Sequence, residues 1–285
     1  MKIGITGATG QLGRLAVSKL KEKAGADNLV ALVRSVQKAA DLGVETREAD
    51  YEKPETLVSA FQGLDTLVFV SGSEVGKRAA QHTNVVEAAK KAGIKKIIYT
   101  SLLHADNTSL AIAEEHIFTE NLLKNSGISY TVLRNGWYTE NYVHSIAGGL
   151  QMGAILGSAG EGKISSAPRK DYAEAIVAVA TTDGHDGKIY ELAGDEAFTL
   201  GELAAEVSRQ AGKEISYTNM PAEELAVALT KAGLPEPVAQ MFAGIDVSIS
   251  KGDLFDGSRH LSQLIGRPTT PLKEAVAGIV EATKD

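Results

Sequence analysis

Short apolar runs alternate along the chain with stretches whose apolar residues recur at helical spacing. Runs at 2–6, 29–33, 46–48, 66–70, 96–100, 130–134 and 189–192 predict strands. Between them, 12–23, 54–61, 78–92, 113–126 and 171–181 predict helices. Gly93 and Gly127 follow two of these helices and Gly63 follows Phe61, where C-cap glycines end a helix before the next strand. Strand alternating with helix implies a parallel sheet covered on both faces. The right-handed crossover rule then makes it an α/β, Rossmann-type doubly wound sheet.

Past residue 138 the pattern changes. Segment 148–162 carries glycine at 148, 149, 153, 157, 160 and 162 and predicts a loop. Residues 199–285 predict mostly helix, at 200–210, 222–232, 235–242 and 272–281. Thr199 and Thr270 are the expected N-caps, with Pro271 at the first helical position of the last helix. The expected organisation is a Rossmann domain from 1–137 plus about 163–197. A smaller, mostly helical substrate or lid domain comes from 138–162 and 198–285, over the carboxyl edge of the sheet.

Composition narrows the chemistry. The 285 residues are 44% hydrophobic and 23% charged, enough apolar material for a sizeable core. The net charge is −7, and the only basic clusters, Lys90-Lys91 and Lys95-Lys96, fit a helix end and a strand start. A nucleic-acid partner is therefore not expected. Without cysteine there is no disulfide, thiolate nucleophile or Cys-ligated zinc. The histidines 82, 144, 185 and 260 show no ligand spacing, so no metal site is expected. No apolar stretch approaches the ~18 residues of a membrane span. Met1 leads directly into the first strand. The expectation is a cytoplasmic protein with no membrane partner.

The sharpest motif is Gly7-Ala8-Thr9-Gly10-Gln11-Leu12-Gly13, after a strand and opening a helix. Gly7 permits the tight turn, Gly10 a close approach of backbone to a pyrophosphate, and Gly13 close packing of helix on strand. The free N–H groups of the first helical turn then face the phosphate charge. Strand two ends at Arg34, where an NAD-binding chain usually carries Asp or Glu for the ribose 2′-hydroxyl. A guanidinium suits a 2′-phosphate instead, so NADPH is the expected cofactor, with NADH possible. Asp50, after strand three, is a candidate adenine contact. Ser71-Gly72-Ser73, after strand four, are small enough for the nicotinamide-side ribose to pass.

The Tyr-x-x-x-Lys acid–base pair of short-chain dehydrogenases is absent: none of the eight tyrosines has Lys four residues on. The helix that would carry it has His116 and Glu120 at i, i+4. They read either as an orienting His–carboxylate unit or, more simply, as a capped, solvated pair. Alcohol oxidation needs a positioned acid–base group, whereas quinone reduction needs mainly cofactor and acceptor held together.

The glycine loop, Arg34 and the blocks Tyr99-Thr100-Ser101-Leu102-Leu103-His104-Ala105-Asp106 and Arg134-Asn135-Gly136-Trp137-Tyr138-Thr139-Glu140-Asn141-Tyr142 resemble the NmrA-like atypical short-chain dehydrogenases. Within that family the chain looks most like bacterial type 2 NAD(P)H:quinone oxidoreductases, with triphenylmethane-dye reductases nearly as similar. The resemblance covers essentially the whole chain. It implies that Gly7 through Leu12, Arg34 and Ser71-Gly72-Ser73 bind NADPH, and that Asn135, Gly136, Trp137, Tyr138, Thr139 and Glu140 approach the nicotinamide. It implies an oxidoreductase passing hydride to a small quinone. Some members of the family sense the dinucleotide without turnover, which leaves an NADP(H)-sensing regulator as the alternative, and a dye reductase as the other.

Trp137, Tyr138 and Tyr142 supply flat rings at the carboxyl edge, suited to a planar quinone or dye acceptor or to sealing the lid. His104, after strand five, is the candidate proton donor. The C-terminal helices serve either a homodimer interface or closure of a monomer.

Overall fold

The computed structural model describes residues 1–283. Seven parallel strands form the main sheet: β1 (Ile3–Thr6), β2 (Leu29–Val33), β3 (Glu45–Glu48), β4 (Thr66–Phe69), β5 (Lys96–Leu102), β6 (Ser129–Asn135) and, taken out of chain order, β8 (Ile189–Leu192). Their spatial order is β3-β2-β1-β4-β5-β6-β8, so the order reverses between β1 and β4. Strands β1, β2 and β4 are buried along their whole length, as continuous apolar runs between two helical layers must be. One layer packs α1 (Gln11–Ala24), α6 (Arg169–Thr181) and α10 (His260–Ile265). The other packs α2 (Pro54–Ala60), α3 (Arg78–Ala92) and α4 (Ala113–Lys124). Two apolar clusters result. Leu20, Val68 and Ile176 lie in the first, and Phe61, Val85 and Tyr99 in the second.

A third cluster belongs to the remaining elements: α5 (Val143–Met152), β7 (Ala154–Gly157), α7 (Leu200–Ala211), β9 (Ser216–Asn219), α8 (Ala222–Lys231), α9 (Glu236–Ser250) and α11 (Leu272–Ala282). Ile146, Ile155, Phe198, Leu203 and Val276 meet there. Here the structure corrects several expectations. Segment 148–162 is a loop only from 158 on. Its first part completes α5, its next part is β7, and β7 pairs in parallel with β9, a strand the polar Ser-Tyr-Thr-Asn sequence did not advertise. Gly149 sits inside α5 because a Cβ there would lie 2.8 Å from Ile155 Cγ1. That glycine therefore serves helix–strand packing and not a turn. Helix α9 runs on to Ser250, well past the expected end at Phe242.

Capping shows the same mixture. Thr199 forms a capping box with Glu202, and Gly93 is a left-handed C-cap. Gly63 and Gly127 have positive φ but lie two residues beyond their helix boundaries at Phe61 and Asn125. Thr270 is not an N-cap. Its hydroxyl and N–H both donate to the buried Asp171 carboxylate, and Pro271 is the boundary residue before Leu272. Among the described residues no helix is long and apolar enough to cross a membrane.

Candidate cofactor and acceptor site

The reversal of strand order opens a crevice at the carboxyl ends of β1 and β4. Gly7 holds φ +59 at the turn out of β1. Gly13 lies so close to that turn that a Cβ would stand 2.1 Å from the Gly7 carbonyl oxygen, and at Gly10 it would stand 3.2 Å away. The loop is thus a cradle that side chains would fill. Gly10 is the N-cap of α1 and offers no capping side chain, so a ligand's phosphate has the helix's free N–H groups to itself.

A cleft of about 690 Å³ extends from this loop. Of the expected cofactor residues, Gly7, Thr9, Gly10, Gln11, Leu12, Gly13, Arg34, Asp50, Ser71, Gly72 and Ser73 line it. Ala8 is fully buried beneath. Arg14 and Lys38, which the sequence reading missed, add two cations beside Arg34. Arg14 lies one residue past the loop and donates to the Lys38 carbonyl at 2.9 Å and pairs with Asp41 at 2.6 Å. Its position on the first turn of α1 was the available signal. Three cations around one mouth fit a dinucleotide carrying an extra phosphate.

Other unforeseen residues shape the walls. The Tyr51 hydroxyl donates to the Val70 carbonyl at 2.7 Å and lies 2.6 Å from Thr6 Oγ1, tying β1 to β4 at the reversal. Burial pushes that phenol up, so it stays protonated. Gly72 is held at both backbone groups. Its N–H donates to His82 Nε2 at 3.0 Å, and its carbonyl accepts Arg78 Nε at 2.7 Å. Accepting at Nε2 requires the proton on Nδ1, which bonds Thr119 Oγ1 at 2.7 Å. Burial, with His116 and Arg78 nearby, drives His82 down to about 3, so it remains neutral.

His116 and Glu120 are neither solvated nor joined to each other. Both are buried. His116 Nδ1 bonds the Tyr99 hydroxyl at 2.8 Å. Glu120 accepts Ser101 Oγ at 2.7 Å and two parallel bonds from Arg134 Nε and Nη2, each 2.9 Å. Arg134 Nη1 also reaches Asp106 and Glu191. Ser101, Arg134 and Glu191 stand in one cross-strand row of β5, β6 and β8. The helix face where a Tyr/Lys pair would sit is thus committed to a buried ion-pair network.

The block after β6 divides its duties. Trp137 and Glu140 line a second cleft of about 610 Å³ with Gln11, Leu15, Asn141, Val143, His144, Arg169 and, from α9, Met241, Phe242 and Ile245. Gln11 lines both clefts and so marks where they meet. The Arg169 guanidinium lies 4.4 Å over the Tyr138 ring, and Glu140 accepts the Arg169 N–H at the start of α6. Asn135 is buried. Its Nδ2 donates to the Tyr138 hydroxyl, while Oδ1 has no partner. Gly136 has no room for a Cβ, which would stand 2.9 Å from the Leu192 carbonyl, and Thr139 is bonded to Ser166. Tyr142 differs from expectation. It is buried against Phe198 in the third cluster, an anchor of the small unit and not an exposed face for an acceptor. His104 takes φ +51, and its Nε2 lies 3.1 Å from Asp256 Oδ2, which raises its pKa. Among the described residues no group of three His, Asp or Glu is placed to hold a metal ion.

The sequence pattern of an NAD(P)H-binding family matches residues 7–183, from the glycine turn through α6. The chain belongs to this NAD(P)H-binding family. It is 52% identical to quinone oxidoreductase 2 of Escherichia coli K12 over 96% of this chain and 97% of the relative. The solved NADPH-dependent quinone oxidoreductase from Escherichia coli in complex with NADPH superposes with a TM-score of 0.95 at 52% identity, covering 97% of this chain and 99% of that one. Triphenylmethane reductase of Citrobacter sp., solved with NADP(H), gives a TM-score of 0.95 at 40% identity over 98% and 100% of the two chains. Membership of the NAD(P)H-binding family accounts for the glycine cradle and for the crevice between β1 and β4. It agrees with the resemblance drawn from the 99–106 and 134–142 blocks.

Proposed function

We propose that this protein is an NADPH-dependent oxidoreductase that reduces small quinones. The observation that carries the proposal is the junction at Gln11 of a cation-rimmed phosphate cleft with an apolar, aromatic one. The near full-length likeness to a quinone oxidoreductase supports the same reading. NADPH, when bound, supplies the hydride. The chain's own part is placement. The α1 N-terminus and the Gly7–Gly13 turn receive the pyrophosphate, and Arg34 with Arg14 and Lys38 receives the 2′-phosphate. Ser71 to Ser73, held by His82 and Arg78, flank the ribose on the nicotinamide side.

Trp137 and Phe242 offer flat surfaces for a planar acceptor, and the lid helix α9 keeps water from it. Arg169 stands beside the acceptor cleft, where a guanidinium stabilises charge developing on a quinone oxygen. With its Nε2 turned to Asp256, we assign His104 to holding the segment after α9 on the sheet edge, not to proton donation. The division into a nucleotide-binding sheet and an acceptor-covering small unit belongs to the same proposal, as does a cytoplasmic location.

The test is oxidation of NADPH, followed by loss of its absorbance, with a panel of small quinones and a triphenylmethane dye. Fast loss that depends on added quinone is the expected result. Tight NADPH binding without turnover on any acceptor would overturn the reading in favour of a dinucleotide sensor. Turnover on the dye alone would move it to the dye reductases.

A further inference from the structure

Arg34, the residue suited to a 2′-phosphate, already has an anionic partner. Its Nη1 lies 3.3 Å from Glu74 Oε1, across the mouth of the nucleotide cleft that both residues line. Strands β2 and β4, which lead to these two residues, are separated in the sheet by β1, so the pair spans the crevice. Glu74 is itself held from the other side. Lys77 Nζ lies 2.9 Å from Glu74 Oε2 and 2.9 Å from Glu52 Oε1. Charges of alternating sign thus run in a row from Arg34 to Glu52.

The segment that carries Glu74 is clamped on both sides. Gly72 is bonded at its N–H and carbonyl, and the Gly76 and Arg78 N–H groups both donate to Glu115 Oε1. Arg78 closes the clamp with an ion pair to Glu115 at 2.7 Å. Such anchoring limits how far Glu74 moves away when a ligand enters. Lys77 also holds the Glu74 carboxyl below the usual carboxylate range, so it stays ionised.

We propose that Glu74 is a specificity-determining residue that limits the preference for NADPH over NADH, by competing with the 2′-phosphate for Arg34. The inference rests on the NADPH reading above. In the free protein Glu74 holds the Arg34 guanidinium over the cleft. A 2′-phosphate must share Arg34 with that carboxylate or displace it, and in either case it sits beside it, like charge near like charge. A cofactor with a 2′-hydroxyl meets neither cost. Arg34 and Glu74 thus act in opposite directions on one discrimination.

The experiment is titration calorimetry of the full-length protein with NADPH and NADH, comparing wild type, E74Q and R34Q. Glutamine matches the size of glutamate at a partly exposed site, so the fold is kept. E74Q is expected to tighten NADPH by about twofold to fivefold, the range for an exposed charge contact, and to leave NADH within about 1.5-fold. The gain should shrink in ~1 M salt, where the screening length falls to about 3 Å. Equal tightening of both cofactors would assign Glu74 to the shared phosphates and overturn the proposal. Weaker NADPH binding, or none of these changes, would also overturn it. R34Q separates the two levels. If it weakens both cofactors alike, the 2′-phosphate reading itself fails. If it weakens NADPH alone while E74Q is silent, only the role of Glu74 fails.

Discussion

The nucleotide cleft takes its glycine turn from one short stretch, Gly7 to Arg14, and the rest of its wall mainly from the chain at and just after the ends of β2, β3 and β4. The acceptor cleft takes Gln11 and Leu15 from α1, Trp137 from the β6 loop, Arg169 from α6 and Met241 from α9. The first works through backbone: a cradle without room for side chains and a helix terminus with free N–H groups. The second works through side chains that meet only when the small unit packs on the sheet. Backbone cradles constrain sequence locally and tolerate little. Side-chain walls can be exchanged one at a time, which is how one scaffold serves different acceptors.

Substitutions separate the two regions, beginning with the largest effect. Gly13→Val places a branched side chain against the Gly7 carbonyl, where even a Cβ stands 2.1 Å away. It should abolish binding of NADPH and NADH together and lower the melting temperature. Retained binding by calorimetry would refute the cradle. Next, Arg34→Glu should raise the Kd for NADPH on the order of 100-fold, the scale of a charge-assisted contact replaced by repulsion. NADH should shift only a few-fold, and equal losses for the two would break the assignment. Phe242→Ala should act on the other region. We expect the KM for a bulky quinone to rise about tenfold, as a buried aromatic contact is lost, while the NADPH Kd moves less than about twofold. A large change in NADPH affinity would mean that the clefts are not separable in this way.

The two regions also differ in pH, where their stabilities respond with opposite signs. His82 and His116 are buried beside the nucleotide half, and burial, the largest cause for both, lowers each to about 3. The unfolded chain therefore takes up protons first. Their contribution to stability is present above the ordinary histidine value and is lost as pH falls towards 3, by up to about 1.4 kcal/mol per pH unit for each histidine. In the small unit, burial raises Asp246 to about 6, although it accepts the Ser158 N–H. There the folded chain holds the proton longer, so stability is present below the ordinary aspartate value and is lost as pH rises to about 6. Urea unfolding of Asp246→Asn should match wild type near pH 4 and exceed it by roughly 1–3 kcal/mol at pH 8. Equal stability at pH 8 would show that this carboxylate ionises freely.

Much of the nucleotide half was legible in advance. The Gly7-x-x-Gly-x-x-Gly turn, Arg34 and the strand–helix alternation rest on local steric rules and periodicity, which leave marks in adjacent residues. The Gly148-Gly149 pair was misread because glycine signals a turn locally, yet Ile155 demands it inside α5. His116 and Glu120 were misread because i, i+4 spacing says that two residues share a helix face. It does not say whether that face meets water or Tyr99 and Arg134.

By itself, then, the sequence determined the alternation of strand and helix from β1 to β6, the phosphate turn and the cation that follows β2. Each depends on residues adjacent in the chain or on a period of two or 3.6. Tertiary structure alone decided the rest: the β7–β9 pairing, the cross-strand row Ser101–Arg134–Glu191, the burial of Tyr142 and the meeting of Arg34 with Glu74 across the cleft. These contacts join residues distant in the chain. Their energies depend on which groups packing removes from water, and no local pattern records that.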